Sequence, residues 1–233
     1  MTSVLAGSVR RRDLREPARL LLDALGIGLA ANTSQLSVPG ERGTLIVANH
    51  VSWLDIVAAL AVEPTAFLAK HDVRSWPVIG SLAARCGTVF VDRREMRRLP
   101  EVVAGVSRAL RSGRSVVVFP EGTTWCGRWG QGVFRRAAFQ AAIDAGAPIR
   151  PVTLEYEQAG EPSTVAAFVG DDPLTASLGR VVRARDLEIR LTAHPAFEAD
   201  GDRRELAARA EDSVMRDTAA PCGPEDVRQA AHV

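Results

Sequence analysis

Only three cysteines occur in the chain, Cys86, Cys126 and Cys222, and none of them forms a Cys-x-x-Cys pair. An odd number without paired spacing argues against a closed disulfide framework and points to a reducing compartment. Long apolar runs are missing as well. Asp23 interrupts the best candidate, residues 20–31, and no small-residue cleavage pattern follows it, so neither a membrane span nor a signal peptide is expected. Net charge is nearly absent, formally +1 from 29 basic and 28 acidic residues, and nothing global calls for nucleic acid. His50, His71 and His194 lack the tight spacing of a zinc site, so no metal is expected. No internal repeat or low-complexity segment is evident.

What is present describes an ordinary globular protein. A chain of 233 residues, 46% hydrophobic and 24% charged, can bury a sizeable core and is most simply one domain. Its basic residues cluster locally, at Arg10-Arg11-Arg12, Arg93-Arg94, Arg97-Arg98 and Arg135-Arg136. Such clusters suit phosphate or an anionic membrane surface, and equally a solvated face. Residues 1–31 form a basic, amphipathic N-terminal segment, with a short helix from Pro17 that puts Leu20, Leu21, Ala24, Leu25 and Gly28 on one face. That face suits a bilayer interface, and equally well the protein's own core.

From residue 32 to 217 short apolar runs alternate with helical patterns. Strands are expected at 45–48, 66–69, 88–91, 115–119, 152–154, 165–169 and 187–193. Helices are expected at 52–62, 78–84, 100–111, 133–145, 173–183 and 202–216, leaving 218–233 as a loosely ordered tail. Runs such as Val116-Val117-Val118-Phe119 are apolar throughout rather than alternating, as in a strand buried on both faces. The expected fold is therefore α/β, a single domain with a largely parallel central sheet flanked by helices.

Residues 44–62 organise the rest. The run Leu45-Ile46-Val47-Ala48 ends in Asn49-His50, and Asp55 follows in what reads as the first turn of a helix. An imidazole can take a proton from a hydroxyl while a carboxylate on its other nitrogen fixes the tautomer. Two residues five apart on one helix would diverge by roughly 140°. His50 should therefore precede the helix. Ser52-x-x-Asp55 is also a capping-box pattern, in which Asp55 would do no more than cap.

In open α/β sheets ligands bind beyond the carboxyl ends of the strands. The unusual polar groups fall at such ends: Asn49-His50, Lys70, Asp92-Arg93 and Pro120-Glu121-Gly122-Thr123, with Pro148 to Pro151 flanking the next strand. Lys70 and Arg93 offer cations for a phosphate, Gly122 permits close backbone approach, and Thr123 adds a hydroxyl.

The ordered set Asn49-His50-x-x-x-x-Asp55, Gly87-Thr-Val-Phe-Val-Asp-Arg93, Phe119-Pro-Glu-Gly-Thr123 and Pro148-Ile-Arg-Pro151 resembles the four motifs of the glycerolipid acyltransferase family. Bacterial 1-acylglycerol-3-phosphate acyltransferases and lyso-ornithine-lipid acyltransferases are the most similar branches, and the resemblance covers about residues 25–197. It implies a glycerol-3-phosphate acyltransferase-like fold and transfer of a fatty acyl group from a thioester, on coenzyme A or acyl carrier protein, to a lysolipid hydroxyl. The resemblance makes His50 the base and Asp55 its orienter. Lys70 and Arg93 become phosphate-binding cations, and Glu121, Gly122 and Thr123 acceptor-binding residues. Pro148 and Pro151 fall on the donor side and shape the site. It implies no acyl-enzyme, no bound cofactor and no metal, and a peripheral position on the cytoplasmic face of a membrane. The leading acceptor is 1-acyl-sn-glycerol-3-phosphate, with lyso-ornithine lipid as the alternative.

Members that take phosphate acceptors carry Arg-Ser after the FPEGT motif, where this chain has Thr124-Trp125 and then Cys126. One cation is thus missing, and Arg128 is a candidate replacement. The FPEGTT variant and the Gly170-Asp171-Asp172-Pro-Leu174 segment are familiar among lyso-ornithine and other lysolipid acyltransferases. Two rival readings are a peripheral lipid-binding protein without chemistry and thiol catalysis by Cys126 activated by His50.

Overall fold

The structure is a computed structural model and describes residues 14–70, 80, 85–91, 99–126, 133–168 and 173–216. Its elements follow the chain as α1 (Arg15–Ala24), β1 (Gly28–Ala31), β2 (Leu45–Ala48), α2 (Leu54–Val62), β3 (Ala66–Lys70), β4 (Val89–Val91), α3 (Leu99–Arg111), β5 (Val116–Val118), α4 (Ala137–Ala145), β6 (Ile149–Gln158), β7 (Glu161–Pro162), α5 (Leu174–Arg183), β8 (Leu187–Ala193) and α6 (Arg203–Met215). The strands form one sheet in the order β1-β8-β6-β2-β5-β3-β4, with β7 on β6. It is a largely parallel sheet, as expected; β6 runs antiparallel to β8 and β7, and the other pairs are parallel.

β2 and β5 lie in the middle, and every residue of both is buried. Side chains alternate across a strand, so Ile46, Ala48 and Val117 face one layer while Leu45, Val47, Val116 and Val118 face the other. The first layer is built with α1, α2 and α5, the second with α3, α4 and α6. α2 is buried at all nine positions, which matches an apolar sequence with no polar face apart from Asp55.

This layering creates the cleft. The chain leaving β2 enters α2 on one face, whereas the chain leaving the neighbouring β5 leads to α4 on the opposite face. Adjacent parallel strands whose connections part in this way leave a crevice at their carboxyl ends. His50 and Glu121 follow those two ends.

Several sequence expectations need correction. Gly28, expected on the face of the first helix, lies beyond it: α1 ends at Ala24 and the chain turns at Gly26, with φ +68°, into β1, which pairs with β8. α1 buries Ala18 and Leu22, while Leu20 of the expected face is 60% exposed. Residues 165–168 form a turn and loop rather than a strand. α4 begins at Ala137, four residues late, because Phe134 and Arg135 belong to the loop that closes over the end of β5. β6 has ten residues rather than three, since pairing with both β2 and β8 carries its polar positions Glu155 and Glu157 into the sheet. The helix expected at 78–84 and the tail from 218 lie outside the described residues, apart from Gly80, which is helical.

Candidate active site

β2 ends in a side chain that continues its own ladder. Asn49 Nδ2 donates to Leu154 O at 2.8 Å, and Leu154 N donates to Asn49 Oδ1 at 2.7 Å. The amide thus pairs with β6 as a further peptide would, and the backbone is released at His50. Trp125 N donates to His50 O at 2.7 Å, and the imidazole stacks on Phe119 with centroids 4.0 Å apart and planes inclined by 13°.

His50 precedes α2, as the helical geometry demanded, and its Nδ1 lies 2.8 Å from Asp55 Oδ2. A carboxylate only accepts, so Nδ1 carries the proton and Nε2 the lone pair. Nε2 has no hydrogen-bond partner among the described residues, and the side chain is 19% exposed. The same Oδ2 accepts from Val51 N at 2.8 Å and Ser52 N at 2.9 Å. α2 has Trp53 at its N-cap and no side-chain cap, so the same oxygen that orients His50 also holds the two N–H groups of the turn leading into the helix.

Asp55 Oδ1 is held from the far side of the site. Tyr156, the chain's single tyrosine, donates to it from β6 at 2.5 Å. Burial, then the Asp55 charge, pushes the phenol well above its usual range, so it stays a donor. Sequence reasoning missed Tyr156, because its only signal was a lone tyrosine in an unmarked strand.

Glu121 is 3% exposed, and its Oε2 accepts from His50 N at 3.4 Å. Its Oε1 is buried without a hydrogen-bond partner among the described residues. Burial pushes its pKa up to about 9 against the His50 N–H, with a further rise from the charges of Asp55 and Glu211. This carboxyl is an uncharged acid near neutral pH. Gly122 adopts φ +79° at the turn, where only glycine is unstrained. What approaches its bare face is Arg135: a methyl group placed there would lie 2.9 Å from Cζ. Thr123 is exposed on the same turn.

Other expected residues are placed differently. Lys70 closes β3, and continuing the Ala66↔Val116 and Phe67↔Val117 register brings it level with Pro120. Its side chain, Arg93 and Arg128 lie outside the described residues. Pro148 and Pro151 are not brought to the crevice. Pro148 O accepts from Leu45 N and Pro151 pairs with Val47, because parallel pairing sets the start of β6 beside the start of β2. Val152 and Leu154 reach the level of Ala48 and Asn49 instead. Cys126 is buried, at 9% exposure. Among the described residues no group of three or more His, Cys, Asp or Glu side chains is placed to hold a metal.

The family model described as Acyltransferase matches residues 31–155. The chain belongs to the acyltransferase family. That match takes in His50, Asp55 and Glu121 and ends one residue before Tyr156. A 1-acyl-sn-glycerol-3-phosphate acyltransferase of Neisseria meningitidis serogroup B is 38% identical, over 88% of this chain and 80% of the relative. A lyso-ornithine lipid O-acyltransferase of Pseudomonas aeruginosa is 34% identical, over 95% of this chain and 99% of the relative. The crystal structure of the 1-acyl-sn-glycerophosphate (LPA) acyltransferase PlsC from Thermotoga maritima shares the acyltransferase fold, with a TM-score of 0.65 at 22% identity, over 88% of this chain and 76% of that one.

Proposed function

We propose that this acyltransferase moves a fatty acyl group from an acyl thioester to the free hydroxyl of a lysolipid, with His50 as general base. One observation carries the reading: His50 Nδ1 is held at 2.8 Å by a buried carboxylate while Nε2 has no partner among the described residues, beside the Glu121-Gly122-Thr123 turn. Nε2 takes the proton of the acceptor hydroxyl as its oxygen bonds to the thioester carbonyl carbon. The carbon–sulfur bond then breaks, and the imidazolium returns the proton to the departing sulfur. Asp55 stabilises the imidazolium throughout. No acyl-enzyme is needed, so the buried Cys126 has no part in it. Lys70, Arg93 and Thr123 are assigned to the acceptor, and the donor is carried by coenzyme A or acyl carrier protein.

The first acceptor is 1-acyl-sn-glycerol-3-phosphate, supported by the Neisseria relative at 38% identity. A lyso-ornithine lipid is the second, favoured by a specific observation. Where phosphate-acceptor members carry a cation, the Thr124 hydroxyl donates to Phe168 O and Trp125 N to His50 O. These two residues hold the loop and supply no charge.

Both acceptors reside in membranes, and the protein is assigned to the cytoplasmic surface of one. Among the described residues no helix is long and apolar enough to cross a membrane. Leu178 and Val182, one turn apart on α5, are 40% and 58% exposed beside Arg183. Trp53 Nε1 donates to Ser177 Oγ at 3.1 Å, tying this helix to the first turn of α2, which holds Asp55.

The test is thiol release from palmitoyl-coenzyme A in detergent, with lysophosphatidic acid and lyso-ornithine lipid offered separately. Acceptor-dependent release that falls about 10²- to 10⁴-fold in a folded His50→Ala variant is expected. Undiminished release by that variant would remove His50 from the mechanism.

A further inference from the structure

We infer that Arg135 is the cation that reads the anionic headgroup of the acceptor, seated flat on the backbone of Gly122. The inference rests on the acyltransfer reading above and adds the residue that replaces the cation missing after the FPEGT motif.

Three guanidinium atoms define the seat. A β-carbon on Gly122 would meet Arg135 Cζ at 2.9 Å, Nε at 3.0 Å and Nη1 at 3.1 Å. Near-equal distances mean that the guanidinium plane lies face-on against the glycine. In that pose its N–H bonds point outward along the edges, which is the arrangement that grips a phosphate or carboxylate with two parallel hydrogen bonds. A lysine has no such plane to lay down.

The residue is anchored to the turn it serves. Arg135 N donates to Pro120 O at 3.1 Å, and the preceding Phe134 is buried, with its N–H donating to Glu211 Oε2 at 3.1 Å. The Arg135 side chain itself is exposed and has no hydrogen bond or ion pair among the described residues. An anchored backbone under a guanidinium with no partner among the described residues is the arrangement of a binding group. Glu121, on the same turn, does not cancel this charge, because burial keeps it protonated near neutral pH.

Position supports the role. The Pro120-to-Thr123 turn sits at the carboxyl end of β5, beside His50 on one side and the level of Lys70 on the other. A headgroup held there would leave the adjoining hydroxyl near the imidazole. Gly122 is then required twice, once for its positive φ and once because any side chain would lift Arg135 off its seat. The ligand chemistry is a small anion on a lipid, either a phosphate monoester or the carboxylate of an amino-acid lipid.

The experiment measures binding separately from turnover. Quenching of tryptophan fluorescence by lysophosphatidic acid and by lyso-ornithine lipid in mixed micelles gives Kd values for wild type, Arg135→Ala, Arg135→Lys and Gly122→Ala. Acceptor KM and kcat are measured in parallel with palmitoyl-coenzyme A. Arg135→Ala is expected to weaken the preferred acceptor by about 10- to 100-fold in Kd and KM, as loss of a bidentate charged contact does, with kcat within about twofold. Arg135→Lys should recover only part, and Gly122→Ala should weaken binding in the same direction. The arm that responds tells a phosphate from a carboxylate headgroup. Unchanged Kd in folded Arg135→Ala, or no binding of either lipid by wild type, overturns the proposal. Tight binding that depends on Arg135 without any acyl transfer would instead overturn the acyltransfer reading and leave the headgroup site standing.

Discussion

Tyr156 Oη donates a 2.5 Å hydrogen bond to Asp55 Oδ1, joining β6 to the first turn of α2 across 101 residues of sequence. With Oδ1 held by Tyr156 and Oδ2 by His50 and two backbone N–H groups, the carboxylate has no freedom to rotate. Tyr156→Phe keeps the ring and leaves Oδ1 buried and unsatisfied. It is expected to cost about 1–3 kcal/mol in urea unfolding. It should also lower kcat about tenfold without moving acceptor KM, since the phenol acts through Asp55. A variant with wild-type kcat would reduce Tyr156 to a packing residue.

Asp55→Asn should damage stability and rate together. An amide presents one oxygen and one NH2, so one of its ends must face donors that the carboxylate satisfied. Loss of about 2–4 kcal/mol in unfolding free energy and a rate fall of at least 10²-fold are expected. The partly exposed His50→Ala should lose rate with little change in unfolding. A stability loss in Asp55→Asn with a wild-type rate would argue that Asp55 only holds the turn ahead of α2.

Glu121 makes stability depend on pH. Its pKa rises from 4.5 to about 9 on folding, chiefly through burial. The folded state therefore keeps a proton that the unfolded chain releases between those values. The stabilisation is complete below pH 4.5 and is lost as pH rises towards 9. Glu121→Gln cannot ionise, so its advantage over wild type should grow by up to about 1.4 kcal/mol per pH unit in that window. Urea unfolding at pH 5, 6.5 and 8 checks this, and a difference independent of pH would contradict it. Being neutral and nearly isosteric, the variant should transfer acyl groups within about threefold of wild type.

The exposed face of α5 is expected to meet the bilayer. Leu178→Asp combined with Val182→Asp should reduce sedimentation with phosphatidylglycerol-containing vesicles severalfold, because it removes apolar area and adds charge of the wrong sign. Activity on detergent-dispersed acceptor should be retained. Equal vesicle binding by this variant would place the contact elsewhere, with Leu20 the next residue to change.

Much of this architecture was legible because its signals were local. The uninterrupted apolar runs at 45–48 and 116–118 gave buried parallel strands, and the five-residue step from His50 to Asp55 gave a strand end followed by a helix. What stayed hidden depended on partners distant in sequence. β1 has only four residues, and only its pairing with β8 makes it a strand. The length of β6 depends on β8, and the role of Tyr156 depends on that length. Pro148 to Pro151 took its donor-side, site-shaping role from the family resemblance alone, whereas the pairing of β6 with β2 decides which end of the sheet it occupies. Arg135 was visible as half of a basic pair, and nothing local linked it to a glycine thirteen residues earlier.

Because the chain has one tyrosine and it rests on Asp55, the protein carries its own optical reporter. In the intact site the phenol resists ionisation well beyond its usual range, so absorbance near 295 nm should stay flat as base is added. Once the contact with Asp55 opens, tyrosinate absorption rises. An alkaline titration followed in a spectrophotometer therefore reads the integrity of this one hydrogen bond without label, substrate or assay.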